Sequence, residues 1–333
     1  MNDAPTVSEA PVRHAWRPLR RLPEGSLDFV GDIHGEIDAL RLLLHRLGYD
    51  DLGHHPRGRR LVFLGDLIDR GTDSLAVVRT VATMIDRGNA MALMGNHDLN
   101  AVAGSRKAEN TWLFGHGPVH QWERRATNDA ERREVLDFLR GLPLALERHD
   151  IRAVHACWDD VCLAALDGEP GPAEALQTHR AKIEASLPAG AGSVERSLAL
   201  QNRNPVKLIT SGPEKAAPAP YTAGGKVRDE MRLPWWNSYR DPRWMIFGHY
   251  WRIPVAGIRE DDGVLSKPSL NRTLGPGPAM CIDYSVGGRW YDRSQGRLHG
   301  PFTGRLAALR WPEKTLVFDD GEEMPVIHQP AGV

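Results

Sequence analysis

Three short apolar segments in the first hundred residues each end in a glycine followed by acidic, amide or imidazole side chains. Segments 27–30, 61–64 and 90–94 have the length and apolar character of buried β-strands, and apolar residues at helical spacing follow each of them. Polar side chains at such strand ends need partners or solvent, so core packing alone does not explain the repetition. The order strand, loop, helix predicts βα units, with a ligand site where the strands end.

The loop from Gly65 to Gly71 places two carboxylates and a guanidinium close together, at Asp66, Asp69 and Arg70. A salt-bridged structural loop would explain these three residues on local grounds. The metal-capable side chains after the other predicted strands favour a functional site instead. The polar residues at the predicted strand ends are Asp32, His34, Asp66, Asp69, Arg70, Asn96, His97, His155 and His249.

This set offers carboxylate, amide and imidazole ligands and no thiolate. Such ligands suit manganese, iron or zinc and argue against a structural zinc site. The set is large enough for two divalent ions. Two ions that share a carboxylate, about 3.5–4 Å apart, can generate hydroxide at neutral pH and stabilise an in-line displacement at phosphorus.

Composition excludes several other classes of function. The 333 residues carry 42 Lys and Arg against 43 Asp and Glu, a formal charge of −1, so no global charge recruits a nucleic acid duplex or an anionic membrane. No run reaches the roughly 20 apolar residues that a membrane span requires. Three irregularly spaced cysteines provide neither a disulfide framework nor a CxxC zinc site. We expect a soluble, cytoplasmic protein.

The chain is predicted to hold one catalytic domain, residues 22–320. Residues 1–21 are rich in Pro, Ser and Ala and then in arginine, without the apolar core of a signal peptide, which predicts a disordered arm. Residues 168–236, with one helical pattern and Pro/Gly/Ala-rich stretches, are interpreted as an insertion that covers the site. Short apolar runs after residue 279 predict antiparallel strands of a second sheet, and residues 321–333 form a tail.

The ordered set of strand-end motifs resembles that of the calcineurin-like metallophosphoesterases. The Asp-Arg-Gly ending at residue 71 is similar to the phosphoprotein-phosphatase branch. A finer resemblance is to bacterial symmetrical diadenosine tetraphosphate hydrolases and related bacterial serine/threonine/tyrosine phosphatases. It rests on the sequence around Ser74 and Leu99 and on segment 304–311. The motifs are Gly31-Asp32-Ile33-His34-Gly35, Gly65-Asp66-Leu67-Ile68-Asp69-Arg70-Gly71, Gly95-Asn96-His97-Asp98, Val154-His155-Ala156 and Gly248-His249.

The resemblance implies an α/β (α+β) fold, a four-layer αββα sandwich of two mixed sheets with helices outside. It also implies two divalent metal ions, manganese, iron or zinc. The implied ligands are Asp32 and His34 on the first ion, Asp66 as the bridge, and Asn96, His155 and His249 on the second.

The resemblance further implies roles for residues beside the metals. His97 would be the general acid that protonates the leaving oxygen, and Asp69 would orient it and raise its pKa. Arg70 would grip the phosphate oxygens with its fork of donors. A second phosphate-binding cation is expected in this family, and Arg252 is the first candidate.

The predicted activity is hydrolysis of a phosphate ester by direct attack of a hydroxide that bridges the two ions. Asp69 and Arg70 favour a phosphomonoesterase similar to protein phosphatases. The local resemblances at Ser74 and Leu99 favour a dinucleoside polyphosphate hydrolase as the alternative. A metal-binding scaffold without catalysis is a third possibility, but its expected mark, loss of ligands, is not present. The expected partner is a phosphorylated small molecule, nucleotide or phosphoprotein.

Two local features differ from the family pattern, and a third allows two interpretations. Residue 251 is Trp251, where many metallophosphoesterases have a further histidine, and 156–159 reads Ala-Cys-Trp-Asp, where small residues and glycine are more usual. The aromatic residues around His249 could stack on a nucleobase or a phosphotyrosine ring, or could pack in the core. They are Trp235, Trp236, Tyr239, Trp244, Tyr250 and Trp251.

Overall fold

A computed structural model describes residues 16–223, 226–252 and 270–328. The strands among them are β1 (Leu19–Arg21), β2 (Leu27–Val30), β3 (Arg60–Phe63), β4 (Ala90–Ala92), β5 (Ala145–Glu147), β6 (Ile151–Val154), β7 (Glu214–Ala223), β8 (Lys226–Arg232), β9 (Trp244–Phe247), β10 (Ala279–Cys281), β11 (Ala307–Trp311), β12 (Thr315–Phe318) and β13 (Glu323–Pro325). The α-helices are α1 (Ile37–Leu47), α2 (Ser74–Asp86), α3 (Asn96–Val102), α4 (Thr111–Phe114), α5 (Asp129–Arg140), α6 (Asp160–Ala165), α7 (Pro172–Ser186), α8 (Ser193–Asn202), α9 (Pro205–Ser211) and α10 (Arg289–Ser294).

Two mixed sheets form the body of the protein, which confirms the predicted fold class. The larger sheet has the order β13-β12-β11-β2-β3-β4, with β2, β3 and β4 parallel and the other three strands antiparallel. The smaller sheet has the order β1-β5-β6-β9-β10, in which only β5 and β6 pair antiparallel. The βα units predicted for the first hundred residues therefore supply three adjacent parallel strands.

Alternation along the strands places the two sheets face to face. Phe29 and Val62 from the larger sheet share one buried cluster with Ala153 and Ile246 from the smaller sheet. Their neighbours along the strands, such as Phe63, belong to a second cluster with the apolar faces of the helices. Because successive side chains point to opposite faces of a strand, each sheet has one face against its partner and one against helices.

The ends of the chain differ from the predictions. Strands β11 and β12 join the larger sheet through β2, and only β10 extends the smaller sheet, so the expected separate antiparallel sheet is wrong. A run of apolar residues identifies a strand but does not specify its neighbour. β13 pairs with β12 in the segment predicted as a tail; residues 329–333 lie outside the described residues.

Part of the arm predicted for residues 1–21 is ordered. Trp16 is buried and its indole donates to the carbonyl of Leu142 at 2.9 Å, and β1 pairs with β5. The prediction is therefore wrong for residues 16–21, and residues 1–15 lie outside the described residues. The arginine-rich composition concealed a strand of only three residues.

The predicted insertion consists of α7, α8, α9 and the hairpin β7–β8. Its helix α9 is joined directly to the segment after His155, because the amides of Ala156 and Cys157 donate to the carbonyl of Ile209 at 3.2 and 3.1 Å. The domain boundaries themselves remain predictions. No helix in the described ranges is long and apolar enough to cross a lipid bilayer.

A buried ion pair anchors the loop before β3 to the larger sheet. Asp28 of β2 is fully buried and accepts hydrogen bonds from the hydroxyl of Tyr49 at 2.7 Å and from Arg59 Nε at 2.9 Å and Nη2 at 2.7 Å. Arg59 also bonds Glu313 at 2.6 Å, in the turn between β11 and β12. One guanidinium thus holds three segments together.

We predict that Arg59→Met lowers the free energy of unfolding by about 3 kcal/mol, because it leaves the Asp28 carboxylate buried without its cation. Urea denaturation of the metal-loaded protein measures this change. The control is Arg79→Met, which breaks a pair with Glu134 of comparable geometry at half-exposed positions and should cost less than about 1 kcal/mol. Equal losses in the two variants would contradict the assigned role of Arg59.

Candidate metal and phosphate site

The backbone is strained at five residues of the predicted site. His34 and Asp66 both have φ of 48°, and Asp69, Arg70 and His249 have φ of 76°, 72° and 66°. These values lie in the left-handed region, which residues with a Cβ atom rarely adopt. Such strain persists only where the surrounding structure imposes it, and it is concentrated at functional sites.

The Asp66 carboxylate lies between two imidazoles. Its Oδ2 is 3.6 Å from His34 Nε2, and its Oδ1 is 3.5 Å from His155 Nε2. Asp66 belongs to both compact groups of possible metal ligands, one with His34 and His97 and the other with His155 and His249. Gly95 permits this placement, since a Cβ there would stand only 2.1 Å from Asp66 Oδ1. A shared carboxylate with one oxygen toward each group is the arrangement of a bridging ligand.

The two histidines beside Asp66 are oriented by backbone carbonyls. His155 Nδ1 bonds the carbonyl of Leu64 at 2.8 Å, and His34 Nδ1 is 3.3 Å from the carbonyl of Ile68. In each ring, Nε2 therefore faces the carboxylate. Burial lowers the pKa of both histidines, which favours the neutral imidazole that binds metal.

Asn96 and His249 complete the second group. Asn96 Oδ1 lies 3.4 Å from His155 Nε2, and the rings of His155 and His249 are 5.2 Å apart. The Nε2 atom of His249 is buried and has no hydrogen-bond partner among the described residues. A buried nitrogen without a partner is costly in a folded protein unless it binds a ligand, so these residues fit a metal ion.

Asp32 lies apart from the two compact groups. Its carboxylate accepts the backbone N–H of His249 at 3.2 and 3.3 Å, and Gly248 leaves room for it, since a Cβ there would be 2.0 Å from Asp32 Oδ1. Burial, with Asp283 and Asp66 nearby, raises the pKa of Asp32 well above its usual range. A divalent ion beside these carboxylates would relieve their repulsion.

His97 is held between a carboxylate and a guanidinium. Its Nδ1 bonds Asp69 Oδ2 at 2.7 Å, and the other oxygen of Asp69 accepts the indole N–H of Trp112 at 2.8 Å. Burial and Arg70 lower the pKa of His97, but Asp66 and the hydrogen bond to Asp69 outweigh them, so the pKa lies above its usual value. These contacts fix the ring and direct Nε2 into the site.

Arg70 is half-buried and connects the first motif, through His34, with the third motif, through His97. Its Nη1 donates to His34 Nε2 at 3.1 Å, and its Nη2 donates to His97 Nε2 at 3.0 Å. The same Nε2 atoms would face a metal ion or a leaving oxygen. An anionic group would therefore compete with the two imidazoles for the guanidinium.

The structure contradicts the choice of Arg252 as the second phosphate-binding cation. Arg252 is buried, and its guanidinium donates to the carbonyls of Leu270 and Arg272 and to the hydroxyl of Tyr284. Neutral acceptors thus take up the two terminal nitrogens of the guanidinium, and only the buried Nε has no partner among the described residues. The position of Arg252 shortly after His249 in the sequence does not reveal these hydrogen bonds.

Arg232 is a cation that sequence reasoning missed. It ends β8, and its Nη1 donates to the carbonyl of His249 at 3.0 Å. This contact places its guanidinium beside the second metal group, and burial together with the charge of Arg232 lowers the pKa of His249. Nothing in the local sequence distinguishes it from the other charged residues of the hairpin.

Two further carboxylates belong to the site. Asp98 accepts the amides of Leu67 at 3.1 Å and Gly95 at 2.9 Å, which joins the second and third motifs, and burial with Asp66 nearby raises its pKa to about 7. Burial likewise raises the pKa of Asp283 to about 6. The sequence shows the motif that contains Asp98. It does not show that the Asp98 carboxylate joins this motif to the second one.

Parts of this chain are similar in sequence to two tetraphosphatases. A bis(5'-nucleosyl)-tetraphosphatase PrpE [asymmetrical] from Anoxybacillus flavithermus is 45% identical over 73 residues, 21% of this chain and 30% of that protein. A symmetrical bis(5'-nucleosyl)-tetraphosphatase from Marinomonas sp. is 32% identical over 138 residues, 39% of this chain and 45% of that protein. The chain therefore spans less than half the length of these relatives.

A solved structure shares the fold over nearly the whole chain. The cold-active protein-tyrosine phosphatase of a psychrophile Shewanella sp. aligns with a TM-score of 0.50 and 15% identity, over 98% of this chain and 87% of that chain. At this identity the likeness concerns the fold alone.

The family profile described as calcineurin-like phosphoesterase matches residues 26–250, which is more than half of the chain. This range contains all five motifs that meet around Asp66. The resemblance noted from the motifs is confirmed: the chain belongs to the calcineurin-like phosphoesterase family.

Proposed function

We propose that this protein hydrolyses phosphate monoesters with two divalent metal ions, manganese, iron or zinc. The observation that carries the proposal is the Asp66 carboxylate, which turns one oxygen toward His34 and the other toward His155. A structural salt bridge would not require two buried imidazoles with their Nε2 atoms on either side of one carboxylate. The neighbouring His97 and Arg70 supply a proton donor and an anion-binding group.

The metal ligands in this proposal come from the two groups that share Asp66, without His97, which is the proposed proton donor, and with Asp32 and Asn96 added. When bound there, two divalent ions lower the pKa of water and neutralise charge on the phosphoryl oxygens. The proposed ligands are Asp32, His34, Asp66, Asn96, His155 and His249. All of these ligands are buried except Asn96, which is half-buried and lies next to His155.

In this proposal, side chains of the protein bind the phosphate and transfer the proton. A phosphate monoester that binds Arg70 draws Nη2 away from His97, which frees Nε2 to carry a proton toward the leaving oxygen. The oxygen of water bonds to phosphorus as the bond to the leaving oxygen breaks; one proton of the water passes to solvent and the other stays on the phosphate. His97, which takes up a proton from solvent at Nε2, gives it to the leaving oxygen, and Asp69 stabilises the charged ring before this transfer. Arg232 is the proposed second cation for the phosphate. No side chain forms a covalent phosphoenzyme.

Hydrolysis of dinucleoside tetraphosphates is the second candidate function. It is favoured by the names of the sequence relatives, which are bis(5'-nucleosyl)-tetraphosphatases matching part of this chain. A scaffold that binds metal without catalysis is the third candidate. The complete set of candidate ligands argues against it.

An activity screen with reconstituted metals distinguishes these functions. The substrates are nitrophenyl phosphate, phosphotyrosine and phosphoserine peptides, and diadenosine tetraphosphate, each with manganese, iron, cobalt or zinc. We expect hydrolysis of monoesters with at least one metal. Cleavage of diadenosine tetraphosphate alone would establish the second candidate, and inactivity on all substrates with metal bound would establish the scaffold.

We predict that Asp66→Asn lowers both metal content and turnover, the latter by about 100-fold or more, because an amide cannot bridge two cations as a carboxylate does. Elemental analysis of the purified protein gives the metal content. Exposed Asp51 provides the control, and Asp51→Asn should retain metal and activity. Wild-type metal content together with wild-type turnover in Asp66→Asn would refute the bridging role.

We predict that Asp69→Asn moves the basic limb of the pH–kcat profile to lower pH. Asp69 helps to raise the pKa of His97, and the acid form of His97 is lost as pH rises through that pKa. Loss of the negative charge lowers the pKa, so the protonated fraction declines at a lower pH. Turnover should fall by about 10- to 100-fold for alkyl esters and less for nitrophenyl phosphate, whose leaving group needs little protonation. An unchanged basic limb would exclude His97 as the acid.

We predict that Arg232→Leu raises KM for phosphate esters about 10-fold or more while metal content remains unchanged, because a charge-assisted contact to the phosphate is lost. The matched control is Arg228→Leu, an exposed arginine on the same strand. Steady-state kinetics and elemental analysis measure both quantities. If the two variants have the same KM, Arg232 does not bind the substrate.

A further inference from the structure

The aromatic residues around His249 divide into a buried group and one exposed ring. Trp235, Trp236, Tyr239, Trp244 and Tyr250 are at most 9% exposed, whereas Trp251 is 44% exposed. Trp236 and Tyr250 pack in contact with each other and with Phe247, which explains them as core residues. Core packing does not explain Trp251.

Trp251 lies directly beside the proposed phosphate-binding group. The guanidinium carbon of Arg70 is 5.2 Å from the centre of the indole ring. Arg70 in turn bonds His97, the proposed proton donor for the leaving oxygen. A leaving group that receives its proton from His97 is therefore released within reach of the indole.

Gly287 packs closely against Arg70. It is buried, and a Cβ there would lie 2.9 Å from Arg70 Nη1 and 2.6 Å from His34 Cδ2, so no larger residue fits. Backbone therefore meets the guanidinium on this side, and the exposed indole lies beside it on another.

We propose that Trp251 is a stacking platform for the aromatic ring of the leaving group, so that the protein favours aryl phosphate esters, such as phosphotyrosine, over alkyl esters. This inference rests on the proposed phosphate monoester hydrolysis. The short separation between guanidinium and indole matches a ring joined to the phosphate through one oxygen. A nucleobase is separated from its phosphate by a ribose and would reach farther. Stacked or edge-to-face contacts with an indole stabilise such a ring beyond simple burial.

The test compares matched pairs of ligands in Trp251→Ala, Trp251→Phe and wild type, all loaded with metal. The pairs are phosphotyrosine and phosphoserine peptides of the same sequence for kinetics, and phenylphosphonate and methylphosphonate for calorimetric binding. In Trp251→Ala we expect kcat/KM for the phosphotyrosine peptide to fall about 5- to 10-fold, chiefly through KM, while the phosphoserine value changes less than about two-fold. The preference for phenylphosphonate should disappear, and Trp251→Phe should restore most of it.

The control variant is Tyr291→Ala, which removes the 61%-exposed ring of a residue on α10 and should leave all four values unchanged. Equal losses for the tyrosine and serine substrates would overturn the proposal, since they would mean that Trp251 acts only by supporting Arg70. A loss confined to diadenosine tetraphosphate, assayed as a further substrate in the same variants, would assign the platform to a nucleobase and would also overturn the proposal. If wild type hydrolyses no phosphate ester, the proposed function fails, whereas active wild type with unchanged selectivity in Trp251→Ala refutes the platform alone.

Discussion

The position of one carboxylate between two imidazoles from different sheets is the constraint on which this structure depends. Asp66 and His34 follow strands of the larger sheet, whereas His155 and His249 follow strands of the smaller sheet. Only face-to-face packing, with these strand ends on the same side, brings the four residues together. The residues between the sheets, such as Phe29 and Ile246, therefore set the separation of the ligands. Because interiors are close-packed, that separation cannot change without disturbing the core.

The concentration of negative charge at this edge is unfavourable for folding. Asp32, Asp66, Asp98 and Asp283 are all buried, and burial raises the pKa of Asp32, Asp98 and Asp283. Asp66 is the exception, because His155, His97 and His34 together outweigh its burial and lower its pKa. Backbone amides and imidazoles offset part of this cost, and the left-handed backbone at the motif residues adds to it. Divalent cations would offset the remainder, so site and ions are expected to be thermodynamically linked.

One guanidinium would couple the proposed proton donation to the proposed phosphate binding. The hydrogen-bonded chain runs from Trp112 through Asp69 to His97, and Arg70 contacts His97 and His34 at its end. Arg70 donates to His97 Nε2, the nitrogen that carries the proton in the proposed mechanism, so in that mechanism binding of an anion and release of the acid are a single event. A change at Arg70 would therefore affect substrate affinity and proton transfer together.

The sequence by itself determined where strands end and which side chains stand there, because hydrophobic periodicity and glycine-bounded loops are local properties. It thereby indicated Asp66, His97 and the metal-capable set, and the resemblance of the motifs to a known family implied two mixed sheets. Tertiary structure alone decided which partner each side chain meets. Arg252 and Arg232 have the same charge in sequence, yet carbonyl groups take up the donors of the first, and the second reaches His249 from the end of a hairpin. The exposure of Trp251 beside Arg70 is likewise a result of packing between distant segments, which no local pattern encodes.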